Sequence, residues 1–495
     1  MRNSIRGERT ERAALVRQLT RLEREARPLE PGATRRRQLH RAVHDSAERF
    51  LGGIQDRKAY DDRPEPGQGL LAHPIQEEGR TPAAVLELLE REVIAPGALP
   101  PHPAHLAYIP GGALYHAALA DYLAAVSNKY SGIFFSGPGA VRMENLVVRW
   151  AAELVGLPAE TGGHIASGGS IATLTAVAAA RDAHRLRGRD YERTVVYLTG
   201  QTHHCVEKAL RVAGLGEAQL RPVPMDERYR MRPEALGELI AQDRRAGLHP
   251  WLVVATAGST DTGAVDPLQA IAEVAEAERC WFHVDAAYGG FFRLTGQGRA
   301  LLRGIERADS VVLDPHKSLF LPWGAGMVLV RDREALLRSN AYSGSYMQDA
   351  TREPGEISPA DVSPELSRPF RALRIWLPLL LLGTRPFAAA LEEKLLLARY
   401  FRREIGRAGF EVGPEPDLSI VTFRWAPPGV SVAEANALNQ RLVDAVRQDG
   451  RVFLSSTMLD GKFTLRMAAL SLRTHRKAMD LAVEVVRETV RRFGG

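Results

Sequence analysis

Lysine is scarce in this chain beside arginine, and one of its few copies, Lys317, stands in an unusual place. It lies in "SVVLDPHKSLFLPWGAG", between a strand-like apolar run and a second apolar segment, where an ammonium is poorly solvated. Either the stem lies along apolar surface while the head reaches water, or the amine has a depressed pKa and serves as a nucleophile toward aldehydes. Three other stretches have comparable chemical potential. In "FHVDAAYGG", Asp285 closes an apolar run, at the strand end where open α/β sheets place ligands. It reads either as a turn or cap aspartate or as a carboxylate paired with a cation such as a protonated pyridine nitrogen. In "TGQTHHCVEKAL", His203 and His204 follow a strand and open a helix. They read as polar cap residues, as metal ligands lacking a third partner at metal spacing, or as an imidazole stacked on a flat cofactor. In "HIASGGSIATLTAVAAAR", Gly168 and Gly169 precede Ser170 and a helix. Free N–H groups at a helix start, with a hydroxyl beside them, form an anion cradle. The turn fits neither the dinucleotide-binding nor the P-loop pattern.

The four occur in the order Ser170, His203, Asp285, Lys317. An anion site, a stacking face, an acid for a ring nitrogen and a Schiff-base lysine are the partners that pyridoxal phosphate needs. No metal is implied.

These residues need a scaffold that brings strand ends together. Short apolar runs at 194–199, 251–257, 280–286, 310–314 and 326–332 alternate with longer helical segments. That alternation predicts an α/β layer fold with a mostly parallel sheet. Before it, residues 8–55 read as helices, 61–69 as a Pro/Gly linker, and "TPAAVLELLEREVI" as a helix capped by Thr81 with Pro82 at its first position. After it, a long helical stretch to about 407, strands in "SIVTFRWA" and "FTLRMAALSL" and a closing helix predict a smaller C-terminal α+β domain. The expected division is an N-terminal helical segment at 1–105, a large cofactor-binding domain at 106–385 and the small domain at 386–495.

With 495 residues, 45% hydrophobic, the chain can bury a large core. Its net charge of +6 is visible in residues 1–40, but acidic residues interleave there, so a solvated helix face is expected rather than a nucleic-acid arm. Two cysteines, Cys205 and Cys280, argue against a disulfide framework and for a reducing compartment. The charged N-terminus does not read as a signal peptide. "IWLPLLLLG" at 375–383 is too short to span a bilayer and reads as a core helix. A cytoplasmic protein, not bound to membrane, is expected.

From about residue 45 to 490 the sequence resembles the group II pyridoxal-phosphate-dependent decarboxylases, which include aromatic-L-amino-acid, tyrosine and glutamate decarboxylases. "DPHKSLFLPWGAG" is similar to that family's Schiff-base motif, which makes Lys317 the cofactor lysine and His316 a cofactor contact. "HVDAAYGG" resembles its ring-nitrogen motif, with Asp285 on the pyridinium and Ala287 against one ring face. "QTHHCVEKA" implies His203 as the stacking histidine, and "SGGSIATL" implies Gly169 and Ser170 as phosphate binders. "ATAGSTDTGAVD" resembles a cofactor-contacting segment in which Thr260 supplies the side chain. "AYIPGGALY" is similar to the substrate-side loop, around Tyr108 and Pro110, and "LRMAALSLRTH" to the strand whose arginine, here Arg466, binds the substrate carboxylate. "NAYSGSYMQDATREPGEISPADV" lies where the family carries a catalytic loop, whose tyrosine corresponds to Tyr346 better than to Tyr342.

The resemblance implies fold type I, the aspartate-aminotransferase type, and a homodimer with shared active sites across which the N-terminal helices pack. The implied activity is decarboxylation of an L-amino acid to its amine. Gly111 stands where the aromatic branch has a larger polar residue and Ile171 where it often has Glu, while Thr173 follows that branch. An aromatic substrate is favoured. Glutamate, diaminobutyrate and an oxygen-consuming aldehyde synthase outcome are the alternatives, with another carbon–carbon lyase or a non-catalytic binding protein as more distant readings.

Overall fold

The computed structural model describes residues 2–109, 111–342 and 356–493; Pro110 and Tyr346 therefore lie outside the described residues. The chain forms two compact units, one of residues 1–57 and 63–97, the other of 58–62 and 98–495.

The first unit is helical, with helices Arg2–Ala26, Ala33–Gly52 and Pro82–Leu89. The last begins as its sequence dictates: the Thr81 hydroxyl accepts from Ala84 N at 3.3 Å, and Pro82 occupies the first turn, where no N–H is needed. Leu15, Val16, Leu19 and Leu22 of the first helix are exposed.

The second unit holds both sheets. The larger has seven strands: β1 (Gly162–Ala166), β2 (Thr194–Leu198), β3 (Gln219–Pro222), β4 (His249–Thr256), β5 (Trp281–Asp285), β6 (Ser310–Leu313) and β7 (Gly326–Val330). Their order is β1-β7-β6-β5-β4-β2-β3. Neighbours from β6 to β3 pair in parallel, whereas β7 is antiparallel to both β6 and β1. Alternate residues enter two separate cores. Val253, Phe282, Val311 and Leu329 join one, and Val254, Trp281, Val312 and Val330 join the other. Both faces are thus covered, which is why these strands read as continuous apolar runs rather than alternating ones.

β1 and β3 were not expected from sequence. β3 is a four-residue edge strand with no buried position, and β1 is glycine-rich, so neither shows strand periodicity. "IWLPLLLLG" is a helix, Ala372–Leu382, with Pro378 inside it. It is not wholly a core helix: Ile375 is buried, but Leu380 and Leu381 are exposed. No single helix among the described residues is long and apolar enough to cross a membrane.

The smaller sheet is antiparallel. Its strands β8 (Glu411–Val412), β9 (Ile420–Arg424), β10 (Ser455–Leu459) and β11 (Lys462–Ala468) stand in the order β8-β9-β11-β10. Helices Arg385–Arg407, Val432–Asp449 and Arg476–Phe493 accompany it, the second opened by a Ser431/Glu434 capping box.

Candidate active site

Parallel pairing sends the chain out of β2, β4, β5 and β6 at one edge of the sheet. The antiparallel β7 enters at that same edge, because Met327 pairs with Leu313, the last residue of β6, and the end of β1 joins them there through the pairing of Ala166 with Gly326. Five connections therefore converge there: Ser167–Ser170, Gln201–Cys205, the turn after Thr256, Asp285–Ala287 and Asp314–Lys317. They enclose a cavity of about 450 Å³.

Gly169 and Ser170 start the helix Gly169–Ala183 at the cavity wall. The first N–H groups of a helix have no intrahelical acceptor, and no side chain caps these. Gly168 and Gly169 keep the backbone bare; a Cβ on Gly169 would stand 3.0 Å from Asp314 Oδ2.

Asp285, at the end of β5, is buried, and the one hydrogen bond its carboxylate accepts among the described residues comes from Ala287 N at 3.1 Å. Ala287 also lines the cavity, with only a methyl side chain. His203 also lines the cavity, with Nδ1 accepting from Cys205 N at 3.2 Å and its ring 4.1 Å from that of His204. Burial pulls the His203 pKa down, and the Asp285 carboxylate offsets part of that. Thr260 also lines the cavity. Among the described residues no group of three His, Cys, Asp or Glu side chains could hold a metal.

Lys317 lies in the short helix Pro315–Ser318 directly after β6. Its Nζ is 3.0 Å from Asp314 Oδ2. The expected depression of its pKa is corrected here. Burial does pull the amine down and is the largest single influence, but the Asp314 and Asp285 carboxylates outweigh it and the pKa is raised. His316 turns Nδ1 to Ala325 O at 2.6 Å and Nε2 toward Asp314 Oδ2 at 3.7 Å. Burial lowers its pKa.

Asp314 was not anticipated as a site residue. It is buried, and its second oxygen, Oδ1, has no partner among the described residues. A carboxylate three residues before the lysine was a readable signal, since that spacing brings side chains together in a helical turn. Cys205, also in the wall, carries a thiol pushed up to about 12 by burial.

Other expected residues are not among those that line the cavity. Tyr108 is exposed and packs edge-on against Phe453 at 5.7 Å. Arg466 is buried and donates from Nε to Asp261 O at 2.8 Å, from Nη1 to Ser455 Oγ at 2.7 Å, and from Nη2 to Thr260 O. Gly111 does not shape the cavity either. A Cβ there would meet backbone, at 2.4 Å from Lys317 O and 2.6 Å from His316 O.

The donor set fits pyridoxal phosphate. An uncapped glycine-rich helix start suits a phosphate, and a buried carboxylate with no cationic side chain bonded to it among the described residues calls for a cation within the cavity. A sheet of this topology with a lysine at its strand-end edge defines a fold-type-I pyridoxal-phosphate enzyme.

Over residues 68–426 the chain matches the pyridoxal-dependent decarboxylase conserved domain, and it belongs to that family. An aromatic-L-amino-acid decarboxylase of Bacillus atrophaeus is 36% identical over 412 residues, which cover 83% of this chain and 85% of the relative. A phenylacetaldehyde synthase of Arabidopsis thaliana is 30% identical over 398 residues, 78% of this chain and 81% of the relative. A crystal structure of Oryza sativa TDC with PLP and tryptamine aligns with a TM-score of 0.88 at 26% identity, covering 94% of this chain and 99% of that one. The protein is a pyridoxal-phosphate-dependent amino-acid decarboxylase.

Proposed function

We propose that the substrate is an aromatic L-amino acid, released as its amine and CO2. The observation that carries this reading is the convergence of Gly169, His203, Asp285 and Lys317 on one cavity whose wall also includes Ile171 and Thr173. An isoleucine and a threonine, with no arginine or second lysine in that wall among the described residues, suit an apolar side chain better than a second carboxylate. The similarity to an aromatic-L-amino-acid decarboxylase supports it.

Bound pyridoxal phosphate supplies an aldehyde for the amino group and a ring that accepts electrons as CO2 leaves. The N–H groups at Gly169 and Ser170, with the Ser170 hydroxyl, hold the phosphate. Asp285 keeps the proton on the ring nitrogen, which maintains the electron demand. His203 and Ala287 would be the residues that pack against the ring. Lys317 would be the residue that holds the aldehyde, through its amine, with Asp314 balancing the charge of the ammonium whenever Lys317 is protonated. His316 and Thr260 border the ring. Tyr108 and Pro110 belong to the substrate side, and Tyr346 returns a proton to Cα; the last two lie outside the described residues. A cytoplasmic homodimer completes the proposal, with residues 1–105 packing between subunits and 106–385 and 386–495 as large and small domains. The exposed leucines of Arg2–Ala26 support such packing.

The test is release of CO2 and formation of amine by the purified, cofactor-loaded protein across aromatic amino acids, glutamate and diaminobutyrate. Equal CO2 and amine from an aromatic substrate is expected. Turnover of glutamate or diaminobutyrate alone refutes the proposal. The second reading, an aldehyde synthase, is favoured by the similarity to a phenylacetaldehyde synthase; it predicts oxygen uptake with aldehyde and ammonia in place of amine.

A further inference from the structure

We propose that Arg466 is a positioning residue that clamps the Thr260–Asp261 turn at the rim of the cavity, instead of binding the substrate carboxylate. The inference rests on reading that cavity as the cofactor site. Arg466 sits on β11, paired with Thr422 of β9 and Ser455 of β10. Its side chain leaves the small sheet for the turn that follows β4 in the large one. There Nε donates to Asp261 O at 2.8 Å and Nη2 to Thr260 O, while Nη1 is tied to Ser455 Oγ at 2.7 Å.

The base of this turn supports itself. Gly263 N donates to Ser259 O at 2.9 Å, the Ser259 and Thr262 hydroxyls are 2.8 Å apart, and Gly258 and Gly263 take the left-handed conformations that the reversal requires. The apex does not. Among the described residues, the Thr260 and Asp261 carbonyls receive no hydrogen bond except from Arg466. A planar guanidinium can address two successive carbonyls at once, which an ammonium cannot. The cation is 3% exposed, and the Asp261 carboxylate offsets part of its burial cost. Nε and Nη2, one edge that could fork onto a carboxylate, thus each donate to backbone, and Gly258 and Thr260 of this turn line the cavity.

The two roles differ in what they discriminate. A carboxylate ligand distinguishes an amino acid from its amine; a clamp on the cavity rim does not. Arg466→Lys and Ser455→Ala enzymes are therefore titrated with pyridoxal phosphate and, once loaded, with the amino acid the wild type turns over and with its product amine. For Arg466→Lys, loss of charge-assisted bonds to both carbonyls is expected to weaken cofactor, amino acid and amine together, each by about tenfold or more. Ser455→Ala should show the same parallel pattern at smaller size, with its melting temperature near wild type, so the answer does not depend on the arginine variant folding. Weaker amino-acid binding with cofactor and amine affinities unchanged overturns the clamp in favour of the carboxylate ligand. No change in any of the three overturns it as well. If the wild type turns over no aromatic amino acid, the substrate proposal fails while the cofactor titration still decides the clamp.

Discussion

Gly326→Ala places one methyl group against the phosphate cradle from behind. Gly326 opens β7 opposite Ala166, and a Cβ built there stands 2.4 Å from Gly168 C, 2.5 Å from Gly168 Cα and 2.8 Å from Asp314 Oδ1. Two of these three atoms are backbone, so no side-chain rotation relieves the overlap. Ordinary carbon contacts lie near 3.5–4.0 Å, and the cradle must therefore retreat by roughly an ångström. Overpacking of this kind costs about 1–3 kcal/mol. Gly168 precedes the two residues whose N–H groups face the cavity, so the displacement falls on the phosphate site. If the bound cofactor must pull the cradle back, affinity falls by roughly 5- to 150-fold, at 1.4 kcal/mol per factor of ten. The assay is a titration of the cofactor-free variant with pyridoxal phosphate, followed by absorbance or tryptophan fluorescence, with melting temperatures measured alongside. A dissociation constant within twofold of wild type would show that β7 carries the methyl without moving Gly168, and would refute the link between strand packing and phosphate binding.

Lys317→Ala should leave a folded protein that still binds cofactor through the helix start but has no turnover and no borohydride-trapped adduct; normal activity without added amines would remove the lysine from its role. Asp285→Asn replaces a buried carboxylate by a neutral amide, and loss of about 3–5 kcal/mol of buried charge pairing translates into roughly 10²–10⁴ in kcat; a variant within a few-fold of wild type assigns the ring proton to another group. Asp314→Asn removes a carboxylate that raises the Lys317 pKa. The neutral amine reacts, so capture of free cofactor by the variant should begin at lower pH than in wild type, by about tenfold in rate for each unit of lowered pKa; superimposable pH profiles would refute this. Glu144→Gln breaks a buried pair with Arg368, 2.7 Å apart, that also binds Ile165 N at 2.9 Å. Leaving Arg368 unpaired should cost about 3–5 kcal/mol, read as a lower urea midpoint with unchanged slope.

What the chain determines locally was legible in its letters. Apolar runs buried on both faces read as strands because each residue type carries its own solvation cost, and Thr81-Pro82 read as a helix start because the cap is made within one turn. The motifs around Ser170, His203, Asp285 and Lys317 announced their chemistry for the same reason, since a phosphate cradle or a strand-end acid is built from neighbours in sequence. Properties that depend on residues distant in sequence were not legible. The sign of the Lys317 pKa shift is set by two carboxylates, one of them 32 residues away on the neighbouring strand, against a burial effect of opposite sign. Arg466 read from its motif as a ligand for substrate, and the motif held no sign of its bonds to Ser455 and to carbonyls some 205 residues earlier in the chain. Gly111 stands where the aromatic branch has a larger polar residue, and only the fold shows that a Cβ there would face the Lys317 backbone. β1 and β3 escaped notice because an edge strand and a glycine-rich strand are specified by the neighbour they pair with, and that neighbour exists only once the sheet has formed.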